Sequence, residues 1–187
     1  MLRFNQHPAF EGRHAFLGAS KYHWVNYDLS KMQHTWESHF AAAKGTRLHM
    51  IAGLLIRERL RQPKNNKSFN CYVNDAIGFM MTPEQMLVYS DNVFGTADAI
   101  SFSKGILRVH DLKTGQYRTN SFQLDIYAAL FCLEYEVDPY KIEMYLRLYQ
   151  NDAPYYEHVG NPEWIKAIMD KAVLFNRHIE MMKEVNA

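Results

Sequence analysis

The 187 residues carry 21 Lys plus Arg against 20 Asp plus Glu, with 48% hydrophobic content; this suits one domain with a real core and excludes a strong whole-protein field for polyanions. Two cysteines, Cys71 and Cys132, cannot build a disulfide framework, a four-thiolate metal site or an iron–sulfur cluster, and with no recognisable signal peptide they point to a reducing cytoplasm. No apolar run approaches the roughly 20 residues a membrane span requires.

Residues 1–18 show no periodicity and contain His7, Pro8, Gly12, His14 and Gly18, which reads as an irregular arm. Ser20 suits the N-cap of a short helix through Tyr27, and Ser30 that of a helix of about three turns with Met32, Trp36, Phe40 and Ala43 on its apolar positions. Gly45 interrupts that helix. Thr46 then caps a further helix carrying Leu48, Ile51, Ala52, Leu55 and Ile56 at helical spacing, which ends by Pro63.

Between Lys44 and Lys67 the bases Lys44, Arg47, Arg57, Arg59, Arg61, Lys64 and Lys67 meet the single acid Glu58. A solvated helix end is one reading of such a run. On a near-neutral chain it is also the best candidate for contact with nucleic-acid phosphates. His49 on this helix reads, taken alone, as a structural histidine.

Lys64-Asn-Asn-Lys67 is a loop, Phe69–Val73 a short strand candidate, and residues 84–91 a better one, with Asp91-Asn92 turning the chain into a hairpin. Glu84 reads as a strand-end charge rather than a ligand. Residues 97–103 and 106–112 are rich in Ile, Val, Leu and Phe and flank Lys104-Gly105, a two-residue turn in which Gly supplies positive φ. Pairing Ser103 with Ile106 sets Asp98 across from Asp111 on one face, with Cβ atoms about 4.5–5.5 Å apart, and Lys113 shares that face. Opposed carboxylates weaken a purely structural hairpin. A hard divalent cation such as Mg²⁺ or Mn²⁺, held by one or two carboxylates and substrate phosphate, removes the objection. Lys113 is placed to position or help deprotonate a water attacking phosphorus. The plain alternative is an exposed hairpin with an Asp–Lys salt bridge.

Thr119–Glu136 reads as a helix through Phe122, Ile126, Ala129, Leu130 and Leu133, with Gln123 and Tyr127 one turn apart on the same side. Tyr140–Tyr149 alternates as a strand, 151–162 is loop, and 163–185 is a closing amphipathic helix. The element order suits an α/β domain with a small mixed sheet flanked by helices. As one domain it divides into an N-terminal arm with helices (1–44), a core (45–150) and a C-terminal loop and helix (151–187).

Four segments together resemble the PD-(D/E)xK nuclease superfamily, specifically its RecB-like exonuclease branch. Gly45-Thr-Arg-Leu-His49 is similar to that branch's helical histidine motif, Gly95-Thr-Ala-Asp98 to its G-x-x-D, Asp111-Leu-Lys113-Thr-Gly to its D-x-K-T, and Gln123-x-x-x-Tyr127 to its Q-x-x-x-Y. Leu17-Gly-Ala-Ser-Lys21 and Trp24-x-x-Tyr27 resemble the front end of small phage-encoded members. The resemblance implies a restriction-endonuclease-like core in which Asp98, Asp111 and the carbonyl of Leu112 hold the metal and His49 is a further ligand. It makes Lys113 the water-positioning base, and Gln123 and Tyr127 the residues that orient the site or touch the DNA backbone. Ala97 stands where the superfamily's name has proline, and the missing cysteine cluster sets the iron–sulfur members apart.

The expected function is therefore a Mg²⁺- or Mn²⁺-dependent deoxyribonuclease, first an exonuclease of phage recombination, replication or DNA processing acting in the host cytoplasm. A DNA endonuclease is the near alternative, and a non-catalytic DNA- or partner-binding protein on the same fold is the alternative from another class. DNA is the expected partner, with a recombination or replication protein compatible with it.

Overall fold

The computed structural model of the chain describes residues 15–115, 120–152 and 155–186, apart from the side chains of Ser20, Lys21, Tyr22, Ala42 and Asn186. Contacts divide the chain into two compact units, Met1–Lys44 and Gly45–Ala187. In the first unit a 3-10 helix (Ala19–Asn26) follows Gly18, whose carbonyl accepts the Trp24 indole N–H at 3.1 Å. Phe16 meets Trp36 edge-on at 5.0 Å. Residues 1–14, most of the expected arm, lie outside the described residues.

Helix α1 (Leu29–Arg57) corrects two sequence expectations. Its N-terminus is capped by Asp28, whose carboxylate accepts the Lys31 N–H at 2.7 Å, so Ser30 lies inside the helix instead of at its cap. Gly45 and Thr46 also lie inside it, and no break occurs between them. A mid-helix glycine costs about 1 kcal/mol relative to alanine. The helix accepts this cost at Gly45 because a Cβ there would come within 2.8 Å of the Thr114 hydroxyl.

Helix α2 (Ser68–Gly78) replaces the strand expected at 69–73. Its aromatic and β-branched residues imitate a strand locally, but Ser68, Tyr72, Val73 and Ala76 are buried at helical spacing and form one face. Strands β1 (Thr82–Ser90), β2 (Val93–Ser103) and β3 (Ile106–Leu112) come next, then α3 (Phe122–Glu134), a short 3-10 turn (Pro139–Lys141) and β4 (Glu143–Tyr149). The expected start of the third helix at Thr119 lies outside the described residues. Within the segment expected to be loop, β5 (Tyr156–Val159) pairs with β4, too short for its period to be read. Helix α4 (Pro162–Asn186) closes the chain.

The fold of this second unit is a mixed α/β one, with five strands in the order β1-β2-β3-β4-β5. All neighbours are antiparallel except β3 and β4, which run parallel and are joined through α3. One core lies between the sheet, α3 and α4, through Ile100, Leu107, Val109, Ala128, Leu146 and Ile165. A second lies between the sheet, α1 and α2, through Ala52, Ile56, Tyr72, Val73, Leu112 and Tyr149. Asp125 of α3 meets His158 of β5 at 3.0 Å, tying the crossover helix to the far edge of the sheet.

The central hairpin has the expected register, with Ser103 paired to Ile106 and the ladder running to Ala99 opposite His110. Both turn residues have positive φ, 51° at Lys104 and 76° at Gly105, the backbone of a type I′ turn. Lysine is poorly suited to that conformation, and asparagine tolerates it well. Lys104→Asn is therefore expected to raise unfolding stability by about 0.5–1 kcal/mol, measured by urea denaturation; a loss of stability contradicts this account of the turn.

Candidate metal centre

Helix α1 carries Gly45, His49 and Gly53 at four-residue spacing, one stripe along its side. A Cβ on Gly45 would meet Thr114, His49 Nδ1 lies 3.3 Å from Asp98 Oδ1, and a Cβ on Gly53 would come within 3.4 Å of Glu84 Cγ. Small residues on either side of His49 thus let the helix lie close over three successive strands or strand ends. His49 reaches a carboxylate on β2 as a result.

Asp98 and Asp111 sit just past the last regular pair of the hairpin. The Asp98 side chain takes over there, its Oδ2 accepting the Leu112 N–H at 2.8 Å. Asp111 is only 1% exposed. Its Oδ1 accepts from Lys113 Nζ at 2.9 Å, while its Oδ2 is buried with no hydrogen-bond partner. Lys113 also donates to Gln123 Oε1 at 2.7 Å, and Gln123 Nε2 donates to the Tyr127 hydroxyl at 2.8 Å. The backbone N–H of Lys113 is fixed by the Tyr149 carbonyl at 2.9 Å. A Cβ on Gly95 would lie 3.1 Å from the Tyr127 ring, so the glycine of the G-x-x-D segment makes room for the tyrosine.

The residues singled out for chemistry in the sequence are thereby brought together: His49, Asp98, Asp111, Leu112, Lys113, Gln123 and Tyr127. Glu84, for which the sequence offers a further acidic ligand or, in preference, a strand-end charge, lies beside them. Ligand atoms of His49, Glu84 and Asp98 all lie within 4.8 Å of one another. Glu84 follows Pro83 with a φ of 52°, an unusual backbone for a strand residue. Its position opposite Asp98 was not legible because β1 and β2 shift register between Val88 and Ser90. That bulge removes the turn rule that worked for the next hairpin.

Electrostatics mark the same residues. Burial, and next the Asp98 charge, push the Asp111 pKa up against the opposing pull of Lys113. Partial desolvation and Asp98 raise Glu84 similarly. The hydrogen bond to Asp98 raises His49 against the effect of burial. The centre thus gathers carboxylates that resist being charged together, the condition a cation relieves.

Behind the centre, Arg147 of β4 pairs with Asp75 at 3.1 Å and with Glu157, and its guanidinium stacks on Tyr155 at 4.2 Å. Tyr149 donates to Asp75 at 2.8 Å and its hydroxyl lies 3.3 Å from His110 Nδ1. His110, beside Asp111 in sequence, is kept neutral by burial and nearby Arg147 and Arg108, with its pKa lowered to about 3. This network anchors the strand ends that carry the site.

The basic run is only partly gathered. Arg57 and Glu84 both lie near the position a Gly53 Cβ would occupy, so Arg57 borders the centre. Arg61 and Lys64 line a cleft of about 530 Å³ with Asn65, Asn74, Asp75 and Tyr155. Arg47, two residues before His49 on α1, points to another side of the helix. Arg59 and Lys67 are exposed in the connection to α2, and Lys44 is exposed in the first unit.

No family model and no curated protein matches the chain.

In the metal-free protein the raised Asp111 pKa makes its charge a cost. The folded state holds the proton to higher pH than the unfolded chain, so this group's contribution falls as pH rises from the unfolded value through the folded one. Asp111→Asn should raise the melting temperature measured in EDTA near neutral pH, and should weaken the further rise that Mg²⁺ or Mn²⁺ produces when EDTA is omitted. A lower melting temperature in EDTA contradicts the electrostatic account.

Proposed function

We propose that the chain is a metal-dependent deoxyribonuclease of the RecB-like exonuclease kind, hydrolysing phosphodiester bonds with Mg²⁺ or Mn²⁺. The observation that supports this most is Asp111, almost fully buried, its Oδ2 without a partner, next to Asp98 and Lys113. A buried, uncompensated carboxylate oxygen is costly, and a hard cation is the partner its chemistry suits. Asp98, Asp111 and the Leu112 carbonyl would hold the cation, with His49 as a further ligand of the centre. When bound, it supplies Lewis-acid stabilisation of charge developing on phosphate oxygens.

Mutual contact among the four motif segments also supports the reading: Gly45 with Thr114, His49 with Asp98, Gly95 with Tyr127, and Lys113 with Gln123. An ammonium has three hydrogens, and Lys113 spends two on Asp111 and Gln123. The third is left to position a water for attack. Tyr127 accepts from Gln123, so its own hydroxyl hydrogen is available to a DNA phosphate oxygen. Arg57 at the border of the centre, with Arg61 and Lys64 along the cleft, would contact the backbone further along. The exonuclease preference follows the branch the motifs resemble, and with it the role in phage recombination, replication or DNA processing.

The test is cleavage of end-labelled linear and covalently closed circular DNA with Mg²⁺, Mn²⁺ or EDTA. Metal-dependent loss of linear DNA alone is expected. Cutting of circles contradicts the exonuclease assignment, and no cleavage with any metal contradicts catalysis. Asp111→Ala and Lys113→Ala should each abolish cleavage while largely sparing DNA binding, and full activity in either variant refutes its catalytic role. Arg57→Ala combined with Arg61→Ala should chiefly weaken binding and flatten its salt dependence; unchanged affinity across a salt series removes these residues from the DNA contact.

A further inference from the structure

The cleft formed by the α1–α2 connection, α2 and Tyr155 carries more chemistry than contact with a DNA backbone uses; assigning it an occupant deepens the nuclease reading and rests on it. Its volume of about 530 Å³ falls in the roughly 300–1,000 Å³ range of sites that hold a small molecule. Arg61 and Lys64 line it, and neither has an acidic partner among the described residues. The acid on its wall, Asp75, is already engaged by Arg147 at 3.1 Å and by the Tyr149 hydroxyl at 2.8 Å. Two cations are thus left uncompensated, which suits an anionic group.

The same cleft holds an aromatic surface. Tyr155 lines it and is 41% exposed. The Arg147 guanidinium lies over the Tyr155 ring, 4.2 Å from its centroid, and is itself tied to Asp75 and Glu157. The ring is therefore backed by a fixed cation and offers its remaining surface to the cleft, a platform ordered before any ligand arrives. Asn74 is spent on the Gln62 backbone, at 2.8 and 3.0 Å, so recognition falls chiefly on the ring and the two cations. An aromatic surface beside phosphate-binding cations is the combination that holds a single nucleic-acid strand, because every base has a face to stack. Bases inside a duplex have their faces covered by their neighbours, and an unpaired base does not.

We propose that this cleft binds an unpaired DNA nucleotide, its base stacked on Tyr155 and its phosphate held by Arg61 and Lys64. The cleft is joined to the metal centre on two sides: Arg57, four residues before Arg61, borders the centre, and Asp75 holds Tyr149, whose carbonyl fixes the Lys113 N–H. Tyr155 is then a determinant of preference for single-stranded DNA over duplex.

The experiment is fluorescence-anisotropy titration of the full chain, in EDTA so that no DNA is cut, with a labelled oligothymidylate, an abasic strand of the same length and a blunt duplex. The proteins are the wild type, Tyr155→Leu, Tyr155→Phe and Arg61→Ala combined with Lys64→Ala, each shown to be folded by circular dichroism. The wild type should bind the oligothymidylate about 5- to 100-fold more tightly than the abasic strand, the worth of one stacked base. Tyr155→Leu should lose that advantage while binding the abasic strand and the duplex as the wild type does, and Tyr155→Phe should keep it. The double variant should weaken both single strands alike and flatten their salt dependence. Equal wild-type affinity for the two single strands overturns this inference, as does a Tyr155→Leu loss that is absent, that extends equally to the abasic strand or duplex, or that Tyr155→Phe shares. Metal-dependent cleavage alongside any of these failures leaves the nuclease reading standing. Binding of none of the three DNAs by the wild type overturns this inference and removes DNA as the partner.

Discussion

Asp98 and Asp111 are brought side by side by a two-residue turn, and most of the second unit can be understood as support for that juxtaposition. Like charges on neighbouring strands repel, more strongly where burial lowers the dielectric, and Asp111 is nearly inaccessible. Three partners offset part of the cost: Lys113 on Asp111, the Leu112 N–H on Asp98, and His49 on Asp98. None of them reaches Asp111 Oδ2. The hairpin is thus held in a conformation that its own electrostatics disfavour, and the surrounding packing must maintain it.

That packing comes from both faces of the sheet. Ala52 and Ile56 of α1 enter the core beneath α2, which fixes the height of the helix, while Gly45 and Gly53 let it approach closely enough for His49 to reach β2. On the opposite face α3 buries Leu124, Tyr127, Ala128 and Cys132 and presents Gln123, which accepts from Lys113 and donates to the Tyr127 hydroxyl. The end of β4 contributes the Tyr149 carbonyl to Lys113, and Tyr149 and Arg147 are tied to Asp75 of α2. Each element that carries a site residue is also anchored by apolar burial, which gives the short polar contacts a rigid frame.

Much of this was legible in the chain. The hairpin register follows from Lys104-Gly105, because a two-residue turn leaves no freedom in the pairing, and the helical period of 122–134 puts Gln123 and Tyr127 on one side. What escaped depended on distant partners. Gly45 looks like a break until Thr114 is found against it, and 69–73 looks like a strand until the buried positions of 68–78 are seen to recur with a helical period. The place of Glu84 across from Asp98 escaped because a bulge separates it from the turn that sets its pairing. The basic run was legible as composition only, since a helix distributes Arg47 and Arg57 to different sides.

The most direct test of the central claim is a crystal structure of the protein grown with Mn²⁺, with anomalous difference maps collected at the manganese edge. The account predicts a strong peak between the carboxylates of Asp98 and Asp111, within ligand distance of Asp111 Oδ2. A fully occupied Mn²⁺ elsewhere with none at Asp111, or carboxylates bridged by water alone at millimolar Mn²⁺, would contradict it.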